Sequence, residues 1–67
     1  MNVGVNGEPR VLQDGATVAE VVYSLVESAE RGVAVALDGE VVPRSEWSQT
    51  NLVDGQHIEV LRAVQGG

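Results

Sequence analysis

Met1, Val3 and Val5 alternate with Asn2, Gly4 and Asn6, the period-two signature of a half-buried strand. Asn6-Gly7 follows, and this pair suits a type I′ hairpin because both central positions of that turn need φ > 0. The chain should return through Glu8 to Gln13. Pro9 lacks an N–H, so this returning strand lies at a sheet edge or begins after Pro9. Asp14-Gly15 closes it with a second turn. The period then changes. Val18, Val21, Val22, Leu25, Val26 and Ala29 form one apolar stripe at helical spacing, with Glu20, Ser24, Glu27 and Arg31 on the other side. Glu27 and Arg31 stand at the i,i+4 separation of a weak ion pair. Thr17-Val18-Ala19-Glu20 reads as a capping box at the helix start, and Gly32 is placed to end the helix as a left-handed cap. The helix carries four valines, which are mediocre helix formers, so it needs a sheet under its stripe.

Val33 to Leu37 is continuously apolar and suits a central strand covered by that helix. Asp38-Gly39 makes the next hairpin turn and leads to a short strand, Glu40-Val41-Val42, which Pro43 ends. Ser45-Glu46-Trp47 is expected to form a short helical turn with Ser45 as a candidate cap. Asp54-Gly55 is a third Asp-Gly turn, and a last strand runs from Gln56 to about Arg62. The order is strand, strand, helix, strand, short strand, turn, strand. This is the β-grasp pattern: an α+β fold with a mixed sheet of four to five strands packed on one main helix. It predicts one domain over 1–67, with 63–67 as a flexible, protruding C-terminal tail. In that topology the first and last strands can lie parallel and adjacent at the centre, which would deliver the tail at one end of the sheet.

Composition narrows what such a domain can do. At 67 residues it buries only about 60% of its unfolded surface, too little for a deep substrate cavity with its own catalytic shell. There is no Cys, so disulfides, Cys-based zinc sites and a catalytic thiol are excluded. A formal net charge of −6 disfavours nucleic acid and anionic membranes and favours a partner with a basic docking surface. The four cations are Arg10, Arg31, Arg44 and Arg62, with no lysine. No apolar run approaches a membrane span, and Met1-Asn2-Val3-Gly4 shows no signal-peptide pattern; the expected location is cytoplasmic.

Few residues offer chemistry. His57 is the only histidine and lacks the Cys or second His that a metal site would need; it reads as a half-exposed strand residue. The carboxylates are spread over turns and the outer helix face. Trp47 is expected to plug the core rather than anchor an interface, and Arg44 to lie on the surface. The glycines mark separate turns, not a phosphate loop. Attention therefore passes to the end of the chain. If Ile58 and Val60 face the core, then His57, Glu59, Leu61 and Ala63 face out. Leu61, Ala63 and Val64 would form a small apolar patch before Gly66-Gly67. Two glycines without Cβ atoms make a thin end that can enter a narrow cleft in another protein.

The residues that bear on identity are Val3-Gly4-Val5-Asn6-Gly7, the helix after Gly15-Ala16-Thr17-Val18, and Val35-Ala36-Leu37-Asp38-Gly39. The more specific ones are Val42-Pro43-Arg44-Ser45-Glu46-Trp47 and Asp54-Gly55-Gln56-His57-Ile58-Glu59 through Ala63-Val64-Gln65-Gly66-Gly67. In these the chain resembles, over nearly its whole length, the ThiS family of sulfur carriers of thiamin biosynthesis, which are ubiquitin-like β-grasp proteins. Gln56 stands where many members have Asp. The Val-Pro-Arg-x-x-Trp segment favours this branch over the small subunit of molybdopterin synthase.

The resemblance implies a carrier acted on by other enzymes. A ubiquitin-activating-like adenylyltransferase (ThiF type) would use ATP and Mg²⁺ to adenylate the Gly67 carboxylate. A persulfide sulfur from a donor protein would displace AMP and leave a thiocarboxylate, which thiazole synthase (ThiG type) would consume. In that reading Gly67 bears the sulfur, Gly66 gives clearance, and Leu61, Ala63, Val64 and Gln65 guide docking. The chain itself holds no cofactor and no metal. The alternatives are sulfur delivery to molybdopterin or another sulfur metabolite, and a non-covalent β-grasp binding module.

Overall fold

Asn6 (φ 50°) and Gly7 (φ 84°) both occupy the left-handed region, so the first turn is the hairpin that an Asn-Gly pair favours. The structure is a computed structural model that describes residues 1–26 and 32–62. Across the turn, β1 (Asn2–Val5) pairs antiparallel with β2 (Glu8–Val11). The Met1 and Leu12 backbones exchange bonds of 2.8 Å in both directions. Bonded and non-bonded pairs alternate along an antiparallel ladder, which puts Pro9, opposite Gly4, in a non-bonded pair. Its missing N–H costs no rung there. Every residue of β2 is exposed and the strand lies at the sheet edge, the first of the two placements that Pro9 allowed.

The capping box forms as its residues predict. Thr17 Oγ1 accepts from the Glu20 N–H at 3.3 Å, and Glu20 Oε2 accepts from the Thr17 N–H at 3.0 Å. Helix α1 spans Val18–Leu25 and buries Val18, Val21 and Val22. It ends sooner than its stripe suggested: Val26 caps it in an extended conformation (φ −131°, ψ 142°) while its side chain stays in the core. Gly32 (φ 77°) is therefore not the helix cap; it precedes the next strand. A β-branched residue gains little from another helical turn, and tertiary packing rather than length sustains a short helix. Ala29 and the Glu27–Arg31 pair lie outside the described residues.

Strand β3 (Val33–Leu37) turns through Asp38 (φ 48°) and Gly39 (φ 86°) into the two-residue β4 (Glu40–Val41). A 3-10 helix follows over Arg44–Gln49, with Pro43 at its N-cap and no side-chain capping bond. Ser45 thus lies inside this helix and does not cap it; extended Pro43 supplies the carbonyl that accepts from the Glu46 N–H at 2.8 Å. The last strand, β5, spans His57–Arg62. The sheet order is β2-β1-β5-β3-β4, with β1 and β5 parallel. The middle place belongs to β5, and β3 is interior beside it. Of β3 only Val35 is fully buried. The core between sheet and helix is built on Val3, Val5, Val18, Val22, Val35 and Ile58, with Trp47 and Leu52 closing one side. Backbone bonds from Val18 N to Thr50 O and from Leu52 N to Ala16 O, each 2.9 Å, tie that side to the helix entry.

Candidate functional site at the end of the last strand

The faces of β5 follow from its alternation. Ile58 and Val60 are buried, whereas His57, Glu59 and Leu61 are exposed, as the sequence predicts. Leu61 keeps 64% of its surface accessible and stands opposite Ala34 of β3. Ala36 pairs with the exposed Val41 on the next strand. The outer face of the sheet thus carries small and apolar side chains from three strands. At the end of β5 an open hollow of about 340 Å³ is lined by Gly32, Val33, Ala34, Leu61 and Arg62. It is a surface feature, without the enclosure that a reaction chamber needs.

Two flanks hold β5. On one side β3 pairs with it as far as Val33 opposite Arg62. On the other, β1 begins a parallel ladder with bonds from Gly4 N to Gln56 O and from Asn6 N to Ile58 O, each 2.9 Å. The backbone then turns away at Asn6, and the Asn6 side chain continues in its place. Its Oδ1 accepts from the Val60 N–H at 2.8 Å, and its Nδ2 donates to the Val60 carbonyl at 3.3 Å. Sequence reasoning read Asn6 only as a turn former. The available signal was that an amide, not a second Gly, occupied a turn that the topology sets beside the last strand.

The other singled-out residues fall where their types suggest. Trp47 is 3% exposed and its Nε1 donates to the Val42 carbonyl at 2.9 Å, so it plugs the core. Tyr23 meets it edge-on at 6.5 Å between ring centres, and the exposed Arg44 guanidinium lies 5.8 Å from its ring centre. The His57 side chain lies against Gly4, close enough that a Cβ on Gly4 would sit 2.5 Å from Nδ1. Among the described residues no three His, Cys, Asp or Glu side chains group as metal ligands, and no helix is long and apolar enough to cross a membrane. Of the proposed carrier residues, Leu61 is placed on the outer face. Ala63, Val64, Gln65, Gly66 and Gly67 lie outside the described residues.

Comparison with known proteins covers nearly the whole chain. A model of the ThiS family matches residues 3–67. The sulfur carrier protein ThiS of Thermus thermophilus is 40% identical over 65 residues, covering 97% of this chain and 98% of that protein. The crystal structure of a thiamine biosynthesis protein (ThiS) from Geobacter metallireducens superposes with a TM-score of 0.79 at 33% identity, with both chains fully covered. A thiazole synthase of Paramagnetospirillum magneticum is 35% identical over 68 residues, which take in all of this chain and 20% of that protein.

Proposed function

This chain belongs to the ThiS family of sulfur carriers of thiamin biosynthesis, and we propose that it carries its sulfur on Gly67 as a thiocarboxylate. The observation that carries the reading is the mount. The middle strand of the sheet, held on both flanks, brings Leu61 and Arg62 to its end, and Gly66-Gly67 follow shortly after in the sequence. In this reading the sheet is the mount and Gly67 the reacting group, as suits a carrier that must present one end to several enzymes.

The chemistry follows from the group at that end. A C-terminal carboxylate has a reference pKa of about 3.3–3.7 and is ionised at neutral pH, so it resists nucleophiles. An adenylyltransferase of the ubiquitin-activating type joins it to AMP, with ATP as co-substrate, Mg²⁺ on the phosphates and pyrophosphate released. The acyl carbon now has a good leaving group. The terminal sulfur of a donor persulfide attacks that carbon; a C–S bond forms and AMP departs. A thiol then cleaves the resulting S–S bond, leaving both electrons on the carrier's sulfur and a disulfide on the donor side. The product is a soft, nucleophilic thiocarboxylate. Its consumer in this reading is a thiazole synthase, a choice supported by the segment similar to this chain within a protein of that name. Gly66 gives clearance in the partner's cleft, while Leu61, Ala63, Val64 and Gln65 form the docking patch.

Intact-mass analysis tests this directly. After incubation with the adenylyltransferase, ATP, Mg²⁺, a persulfide donor and a thiol, the mass should rise by one sulfur less one oxygen. Deleting Gly67 should abolish the gain and leave the circular dichroism spectrum unchanged. An unmodified mass with an adenylyltransferase that charges another carrier would overturn the proposal.

A further inference from the structure

We propose that Asn6 is a positioning residue for sulfur loading, because its side-chain amide carries the β1 flank of β5 on to Val60. The inference rests on the carrier reading above and adds a residue far from the tail in sequence. A parallel ladder alternates N–H donors and carbonyl acceptors along one strand. After the rung from Asn6 N to Ile58 O, the next two rungs require an acceptor for Val60 N–H and a donor for Val60 C=O. The β1 backbone cannot supply them, since at Asn6 it enters the left-handed turn (φ 50°). Oδ1 and Nδ2 of Asn6 take the two places, at 2.8 and 3.3 Å from Val60 N and O. One side chain thereby extends the ladder by a residue and stops it at Val60.

Few residues could do this. The position needs a side chain tolerant of positive φ, which favours Gly, Asn and Asp. It also needs one donor and one acceptor at amide spacing, which leaves Asn. Asp would accept from Val60 N–H but set a second carboxylate oxygen against the Val60 carbonyl. Gly would keep the turn and lose both bonds. The consequence reaches the tail because Val60 is only two residues from Arg62, the last described residue, which pairs with Val33 of β3. The amide thus anchors β5 from the β1 side at Val60, while β3 pairs with it from the other side as far as Arg62. Without the amide, β5 loses its β1-side support two residues earlier, beyond Ile58, and the tail meets the adenylyltransferase cleft from a wider range of directions.

Asn6→Gly separates the turn from the clamp, because Gly accepts φ 50° without strain. Thr17→Ala serves as a control that weakens the fold at the helix cap without touching β5. Amide hydrogen exchange should be followed at Val60 and at Gly4, which reports the start of the same ladder. In Asn6→Gly, Val60 should exchange about tenfold faster relative to Gly4, the expected scale for losing its bond. In Thr17→Ala the two should shift together. With the adenylyltransferase, ATP and Mg²⁺, Asn6→Gly should lose about three- to tenfold in kcat/KM, more than Thr17→Ala, and Asn6→Asp should fall between Asn6→Gly and the unmodified protein. Equal Val60-to-Gly4 ratios in Asn6→Gly and Thr17→Ala, or equal losses of kcat/KM, would overturn the proposal. Failure of the unmodified protein to turn over overturns the carrier reading instead, and the exchange ratio then decides the clamp by itself.

Discussion

Gly4 shows how narrowly single positions are set. It lies in β1 opposite His57 of β5, and a Cβ there would meet the imidazole at 2.5 Å from Nδ1 and 3.2 Å from Cε1. Gly4→Ala should therefore destabilise the fold, by about 1 kcal/mol or less because the exposed ring can turn aside at the cost of its rotamer. In Gly4→Ala/His57→Ala the penalty should vanish, since Ala is the better strand residue once the obstruction is gone. Urea midpoints of the four proteins check this double-mutant cycle; simple additivity would mean that the ring and the Gly4 site do not interact. Trp47 lies at the other extreme. Buried and bonded to the Val42 carbonyl, it should cost about 3–5 kcal/mol on truncation to Ala. A domain this small rarely has more than about 3–5 kcal/mol in all, so Trp47→Ala should show no cooperative thermal transition. Trp47→Phe keeps most of the volume, loses the indole donor and should melt cooperatively at a lower temperature.

At the scale of elements, β5 separates core residues from the proposed docking residue face by face. Ile58 and Val60 serve the core and Leu61 does not, so Leu61→Glu should change stability by less than about 0.5 kcal/mol. If the proposed docking role holds, the same change should raise the KM for the adenylyltransferase, because it puts a further charge beside Ala34, the apolar neighbour of Leu61. A denaturation curve and a kinetic comparison decide it; a large loss of stability would place Leu61 in the core after all. What the sequence showed of these elements depended on how local the cause was. The Asn6-Gly7 and Asp38-Gly39 turns, the Thr17–Glu20 box and the alternation of β5 each depend on neighbours a few residues away, and each forms as its residues predict. The helix end and the 3-10 cap were misread because tertiary packing decides them: Val26 leaves the helix to stay in the core, and extended Pro43 takes the place assigned to Ser45. The Asn6 clamp could not be read locally, since its partner is 54 residues away in the chain. Leu61 could be placed from strand period alone, whereas the sulfur role of Gly67 rested on resemblance, because two glycines by themselves specify no reaction.

In the whole molecule, charge and apolar surface meet on the outer sheet face, where Glu59 stands among Ala34, Ala36, Val41 and Leu61. No charged side chain is buried among the described residues, and Glu8, Asp14, Asp38, Glu40, Glu46, Asp54 and Glu59 are all exposed. With a net charge of −6, the protein presents acid around most of its surface and apolar side chains on the outer sheet face. These two features act over different ranges. Apolar contact contributes only once water has been expelled, whereas the charge is felt over about a Debye length, roughly 8 Å at physiological salt. A partner with a basic docking surface should therefore be met faster than chance at low salt, with a dissociation rate that salt alters little. Raising ionic strength from low to several hundred millimolar should lower the association rate constant by about tenfold or more. Two variants separate general attraction from local complementarity. Glu59→Lys lies on the outer face of β5, and Glu46→Lys lies on the 3-10 helix at the helical side. Both change the net charge equally. If the outer face docks, Glu59→Lys should slow association by the larger factor in stopped-flow measurements and flatten its salt dependence more. Equal slowing would mean that net charge alone steers the encounter, and a larger effect of Glu46→Lys would put the docking surface on the helical side.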